Sequence, residues 1–413
     1  MAQVPRGGRD RGSVLRQLFV KRGYAPIGGS ESLCFQFATR LAERGHDVRV
    51  VCAWPSEREH AKWQLDDTGA RTYEDHRVFA HRGVEVVQVK PKGGFLGLAA
   101  DATTLVDLMR YEILQRYASD REIIHNVGRE YLDSTLEVGA ELDLPVVLTP
   151  LPHPGQFHGG DTGSDLARYR RASAITTMTE WERRWFIDHA VEPSSVIVTG
   201  MGPNVTASKD GASFRRAQHI PADAPLVLYV GRKERYKGYI QLLDAAEPVW
   251  RRHPDTRFVF IGIDGFYSTF IDDFARYRDE RIIDIDCATD GTKAAALDAC
   301  DVFAMPSRHE TFGLGYLEAW VHQRPVIGGD IPPLREVIDD GIDGLLVRQH
   351  ADAVSEAIVR LLDDPALRAS MGRVGQAKVM ERWHWDRVID RVEGAYQLAL
   401  ARFEVDEASE ALA

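Results

Sequence analysis

At 413 residues, and with about 150 residues per domain as a prior, the chain is long enough for two or three domains with ample core, so a small disulfide scaffold is excluded. Hydrophobic residues make up 44% and charged residues 27%, a globular composition that leaves no room for extensive disorder or a fibrous repeat. The 62 acidic against 51 basic residues give a net charge of -11, which works against nonspecific binding to nucleic acid or anionic lipid. Cys34, Cys52, Cys287 and Cys300 are scattered. They show neither CxxC spacing nor the density of a secreted framework, so reduced cytoplasmic thiols are expected. No apolar run approaches the roughly 18 residues of a bilayer span, and MAQVPRGGRDRGSVLR lacks the apolar stretch of a signal peptide. The expected location is the cytoplasm.

Residues 1–13, with Arg6, Arg9 and Arg11 among Gly7, Gly8 and Gly12, read as a flexible lead-in. From Val14 short apolar runs alternate with helical periods: VLRQLFV, a helix from Ser30 to Gly45, DVRVVCA, and later EIIHNV and PVVLTPL. That alternation predicts an open parallel α/β sheet. AITTM, a helix from Trp181 to His189, and SVIVTGM repeat it. Residues Pro203 to Ala224 are polar, rich in small residues and without an apolar period, which predicts an interdomain connection and a boundary near 205. The pattern then restarts with PLVLYVG, a helix from Tyr239 to His253, RFVFIGI, a helix through Phe270, RIIDID, a helix around Lys293 to Ala299, and VFAMPS. PVIGG and GLLV follow, and helices at Ala351 to Leu362, Pro365 to Glu381 and Trp385 to Phe403 close the chain. The expected layout is a first α/β domain over 14–205, a second over 206–384, and a last helix with an acidic tail over 385–413. Ligands of open α/β sheets bind beyond the carboxyl ends of the strands, so the chemistry is expected in a cleft between two such domains.

Three segments could carry that chemistry. After the first strand, Tyr24-Ala25-Pro26-Ile27-Gly28-Gly29-Ser30-Glu31 runs straight into a helix; paired glycines allow close backbone approach, and the helix start attracts phosphate. The competing reading is a plain strand-to-helix turn. The loop lacks the third glycine of GxGxxG, which disfavours NAD. After the first strand of the second domain, Gly231-Arg232-Lys233-Glu234-Arg235-Tyr236-Lys237-Gly238 offers Arg232 and Lys237 to a diphosphate, against the reading of a solvated basic loop. The most specific segment is Ser307 to Trp320. Glu310 follows a strand, and Glu318 lies in a helix among Leu314, Leu317, Ala319, Trp320 and Val321. A carboxylate buried there needs donors, either a ligand diol or a structural arginine. The amides of Phe312, Gly313 and Leu314 make a second anion-binding helix start.

Together these segments resemble the retaining GT-B glycosyltransferases of family 4, over nearly the whole chain from Val14 to Phe403. The likeness rests on Glu310 and Glu318 with seven residues between them, on Arg232 and Lys237, and on the loop Pro26 to Glu31. It implies two facing Rossmann-like domains with parallel sheets and a C-terminal helix crossing back to the first. It also implies a hexosyltransferase that moves a sugar from a nucleoside diphosphate, UDP- or GDP-linked, to a hydroxyl acceptor with retention and without metal or further cofactor. On that likeness Glu318 meets the ribose, Glu310 the transferred sugar, and Arg232 and Lys237 the diphosphate. Gly28 and Gly29 let the first domain approach the phosphates, the amides of Phe312, Gly313 and Leu314 hold the distal phosphate and sugar, and Cys287 lies by the base. His153, in Leu151-Pro152-His153-Pro154, matches the family histidine beside the donor sugar, its direction fixed by an extended proline-flanked segment. A structural histidine, or His158 in its place, is the competing reading. The sequence departs from the looser Thr-x-His pattern of the family, and Thr311 stands where a glycine is common.

Other motifs take plainer readings. Asp284-Ile285-Asp286 looks like a metal-binding DxD but ends a predicted strand, and His125 reads as a cleft-lining or core residue. Trp181 to Phe186 reads as a packed helix, with weak contact to a membrane surface as the alternative. The acceptor is unassigned, and nucleic acid is not an expected partner. A sugar-nucleotide-binding protein without activity, or an epimerase of the same fold, are the competing functions.

Overall fold

The computed structural model describes residues 13–26, 28–57, 65–90, 110–156, 159–263, 274, 276–286 and 288–410. The lead-in before residue 13, Ile27, His158, the helix expected through Phe270, and Cys287 lie outside them. The chain divides into two compact units. The first draws on the described residues of Met1–Thr177, Phe186–Ile197 and Arg391–Ala413, and the second on those of Met178–Trp185 and Val198–Asp390.

In the first unit β1 (Arg16–Lys21), β2 (Asp47–Ala53), β3 (Arg71–Thr72), β4 (His76–His81), β5 (Val84–Val89), β6 (Ile123–Val127), β7 (Val146–Thr149), β8 (Ala174–Thr177) and β9 (Val196–Val198) form one sheet, in the order β3-β4-β5-β2-β1-β6-β7-β8-β9. β1 pairs in parallel with β2 and β6, so Phe19 lies opposite both Val50 and His125. Strands covered on both faces can be apolar along their whole length, which is why β6, β7 and β8 are buried at every position. β3 and β4 add an antiparallel edge. The helix Ser30–Glu43 returns from β1 and buries Leu33, Phe37 and Leu41, the spacing of one helical face.

His125 is a core residue. Its Nδ1 lies 2.8 Å from Tyr396 Oη and its Nε2 2.7 Å from Thr149 Oγ1, and burial lowers its pKa to about 3, so the ring is neutral. Tyr396 belongs to the closing helix Trp385–Glu410, whose residues from Arg391 onward are part of the first unit.

The second unit holds β10 (Leu226–Val230), β11 (Arg257–Ile261), β12 (Ile282–Ile285), β13 (Val302–Met305), β14 (Val326–Gly329) and β15 (Gly344–Val347), ordered β12-β11-β10-β13-β14-β15. Every pairing in it is parallel. The single helix expected from Tyr239 to His253 is two, Tyr239–Asp244 and Ala246–Arg252. Pro248 explains the break, because it has no N–H to give the carbonyl four residues back. The stretch Pro203 to Ala224 is more than a connection: it contains the helix Gly211–Ala217, with Phe214 buried and Gly211 packed against the backbone of Asp298 and Ala299.

The helix Glu180–Asp188 buries Glu182 and Phe186 and leaves Arg184 and Asp188 exposed. Trp181 N donates to Glu336 Oε2 at 3.0 Å and Arg184 Nη2 reaches Glu336 Oε1 at 2.6 Å. No helix among the described residues is long and apolar enough to cross a membrane. Glu182 is fully buried: its Oε2 accepts from Met178 N at 2.7 Å, while its Oε1 is buried without a hydrogen-bond partner. Burial pushes this carboxyl up to about 8, against the opposing pull of the Met178 amide. The folded state therefore holds a proton that the unfolded state releases between the ordinary carboxyl pKa and about 8, and stability falls as pH rises through that window. Glu182→Gln is expected to flatten the slope of unfolding free energy between pH 5 and pH 8 in urea titrations; an unchanged slope would locate the pH dependence elsewhere.

Candidate functional site

In the second unit β10 and β13 pair directly, Val227 opposite Val302 and Leu228 opposite Phe303, so the loops leaving their carboxyl ends meet. The β10 loop ends in a turn of 3-10 helix, Arg235–Lys237, followed by Gly238 at φ 83°. A Cβ on Gly238 would stand 2.5 Å from Pro306 O, so glycine is what lets the two loops close. Gln349 Nε2 ties them, donating to Tyr236 O and Pro306 O at 2.8 Å each.

This closure brings Lys237 to Glu310. Lys237 Nζ lies 2.6 Å from Glu310 Oε1, and Ser307 Oγ donates to the same oxygen at 3.1 Å. Glu310 is 9% exposed, a burial that such donors make tolerable. Arg232 stands on the exposed side of the loop, where Nη2 donates to Tyr236 Oη at 3.2 Å. Lys237 Nζ lies 5.4 Å from the centre of that tyrosine ring. The two expected cations thus share Tyr236 as a neighbour, and neither Tyr236 nor Ser307 was singled out from the sequence.

Glu318 sits on the helix Leu314–Val321, which begins at Gly313 with φ 84°. It is 3% exposed and meets Lys293 Nζ at 2.8 Å through Oε1. The structural partner is therefore a lysine rather than an arginine. Lys293, on the helix Asp290–Ala299, also lies 3.6 Å from Asp290 Oδ1. Burial is the largest influence and would lower its pKa, but the charges and hydrogen bonds of Glu318 and Asp290 together outweigh it, so the ammonium is held above its ordinary value. Phe312 is buried and meets the Trp383 ring edge-on at 5.4 Å. The amides of Phe312, Gly313 and Leu314 stand at the helix start, where the first N–H groups have no intrahelical partner.

In the DID segment the two aspartates differ. Asp284 forms an ion pair with Lys233, whose side chain is 1% exposed, while Asp286 is exposed just past β12.

The remaining candidates belong to the first unit. Gly28 (φ 92°) and Gly29 are exposed, and Ser32 Oγ donates to their carbonyls at 2.5 and 2.9 Å. Beside them Lys21, the last residue of β1, is wholly buried between Glu130 Oε2 at 3.0 Å and Glu31 Oε1 at 3.8 Å. The sequence reading missed this cluster, because Lys21 ends an apolar strand and Glu130 follows a distant one. His153 is half-buried, but its segment is not extended. Leu151 has φ 53°, and Gln156 N donates to His153 O at 3.1 Å across Pro154 and Gly155, the latter at φ 80°. That is a type II turn with proline and glycine in their preferred places. His153 Nδ1 lies 3.2 Å from Leu151 O, which makes it the donor nitrogen.

Sequence comparison places these residues in context. The family model for a Glycosyl transferase 4-like domain matches residues 28–202, and that for Glycosyl transferases group 1 matches residues 211–378. A D-inositol 3-phosphate glycosyltransferase of Acidothermus cellulolyticus is 32% identical over 273 residues, covering 61% of this chain and 58% of the relative. A glycogen synthase of Mycobacterium tuberculosis is 26% identical, covering 93% of this chain and 95% of the relative. The chain spans 58% of the length of the first curated relatives it matches. Among solved structures, Anabaena HepE in complex with UDP and glucose is similar with a TM-score of 0.72 at 18% identity, over 92% of this chain and 99% of that one. Sucrose-phosphate synthase from Thermosynechococcus elongatus gives 0.73 at 19%, over 94% and 99%.

Gly313 is where the site is most sensitive to backbone change. At φ 84° an L side chain is strained, and a Cβ would run into the Tyr316 ring, whose Oη donates to Met305 O at 2.5 Å. Gly313→Ala is expected to cost about 2 kcal/mol or more in urea unfolding; an unchanged midpoint would show that the helix start does not depend on this conformation.

Proposed function

Because this chain belongs to the glycosyl transferases of group 1 and has the GT-B fold, we propose that it is a metal-independent hexosyltransferase that moves a sugar from a nucleoside diphosphate to a hydroxyl acceptor with retention of anomeric configuration. The observation that carries this reading is the pair of buried glutamates, Glu310 and Glu318, each closed by a lysine beyond the carboxyl ends of a parallel sheet. Ligands of open α/β sheets gather at those ends. The complexes of HepE with UDP-glucose and of Arabidopsis starch synthase IV with ADP support the donor class.

The proposed roles follow from charge. Cleaving the anomeric C–O bond leaves negative charge on the diphosphate, and preorganised cations stabilise it as it develops. Lys237 supplies three donors on one nitrogen, one of them toward Glu310, and Arg232 supplies a planar fork from the same loop. Glu310 accepts from hydroxyls of the transferred sugar and Glu318 from those of the ribose. With cations and helix-start amides on the phosphates, no metal is called for.

Thermal shift with UDP, GDP and ADP tests the reading: one base should stabilise the fold, by roughly 2.7 kcal/mol at about 100 times its dissociation constant. No shift with any of them at millimolar concentration would overturn it. Transfer or donor hydrolysis should survive EDTA; loss on chelation with rescue by magnesium or manganese would reverse the leaving-group assignment. Glu310→Gln should lower kcat by about 10² to 10³ with little change in donor KM, whereas Glu318→Ala should act chiefly on donor KM. Wild-type kinetics in both variants would make the glutamates purely structural.

A further inference from the structure

The reading of Glu318 as the ribose-binding carboxylate has a consequence for Lys293. Glu318 does not stand open on both oxygens: Oε1 is held by Lys293 Nζ at 2.8 Å. Lys293 is anchored in its turn, 3.6 Å from Asp290 on the first turn of its own helix, where Thr289 Oγ1 accepts from Thr292 N at 3.1 Å. The side chain of Glu318 is 3% exposed and that of Lys293 17%. A buried carboxylate gripped at one oxygen cannot rotate freely, so its remaining lone pairs keep a fixed direction. A ribose offers two neighbouring hydroxyls, and a carboxylate held in this way can accept from both.

We propose that Lys293 is a positioning residue that fixes the Glu318 carboxylate for the two ribose hydroxyls, and so makes the donor site selective for ribonucleotides over 2′-deoxyribonucleotides. A 2′-deoxyribose leaves a buried acceptor direction unfilled, and an unfilled acceptor in a dry site is what discriminates between otherwise identical ligands. Lys293 touches neither the sugar nor the phosphates in this arrangement. It acts through Glu318.

The test is calorimetric titration of wild type, Lys293→Met, Lys293→Gln and Lys293→Arg with UDP, GDP, ADP and their 2′-deoxy counterparts, taking the base that binds tightest. Wild type should bind the ribonucleotide about ten- to hundredfold more tightly than the deoxyribonucleotide. The methionine and glutamine variants should weaken the ribonucleotide by about tenfold, leave the deoxyribonucleotide nearly unchanged and bring the ratio close to one, while arginine, which keeps the charge, restores most of it. The glutamine variant, polar but neutral and with a shorter reach than lysine, keeps the test open if the methionine variant does not fold. If either neutral variant folds and keeps the wild-type ratio while Glu318→Gln loses it, the inference about Lys293 falls and the role of Glu318 stands. A wild type with no ribose preference, or with no binding of any of the three diphosphates, overturns the donor reading and this inference with it.

Discussion

A carboxylate taken out of water needs a cation or several donors, and in the second unit that requirement binds the chemistry to the topology. Glu310 and Glu318 are both below one-tenth exposed, and each is met by a lysine from a different element. Removing one partner of such a pair strands the other charge, which costs about 3–5 kcal/mol. The lysines can arrive only because the sheet sets β10 beside β13 and places the helix Asp290–Ala299 directly ahead of β13. Loops far apart in sequence thereby become immediate neighbours, held by Gln349 and closed by Gly238.

The same requirement accounts for the partner of Asp284 in the acidic DID segment. Asp284 shares its charge with Lys233, and that lysine is buried at the end of β10, where it needs a counter-charge of its own. In the first unit Lys21 stands in the same relation to Glu130 and Glu31. Burial would lower the pKa of Lys21, yet the two carboxylates raise it above the ordinary lysine value. Buried lysines at strand ends, each matched to carboxylates, recur on both sheets.

The parallel strands were legible because a strand covered on both faces reads as an apolar run: PVVLTPL holds β7, Val146–Thr149, buried at every position. The antiparallel edge was not, since β3 is only Arg71–Thr72 and β4 reads HRVFAH, too short or too polar to stand out. Places after strand ends, the apolar residues around Glu318 and the family resemblance marked the glutamates and the basic loop, yet none of these could name their partners. Lys293 lies 25 residues before Glu318 and Lys237 lies 73 before Glu310, and a contact of that span is a property of the folded sheet. His153 shows the opposite limit. Its prolines signal restriction, but whether they extend or turn the chain depends on Gly155, which takes the left-handed angle that closes the turn.

Pairing the strand-end lysines in advance also limits the field that the second unit's strand ends present. Lys233, Lys237 and Lys293 each face a carboxylate, so the long-range pull on an incoming anion is weaker than three bare ammonium groups would exert. On the function proposed above, binding then rests on short-range geometry: donors left on Lys237 after Glu310 has taken one, the fork of Arg232 beside Tyr236, and the helix start at Gly313. Groups held in this way need little reorganisation when charge appears on a leaving group, which is where preorganised electrostatics act most strongly. A bare cation cluster would capture anions indiscriminately. A neutralised one rewards only a ligand whose hydroxyls and phosphate oxygens meet each partner in place.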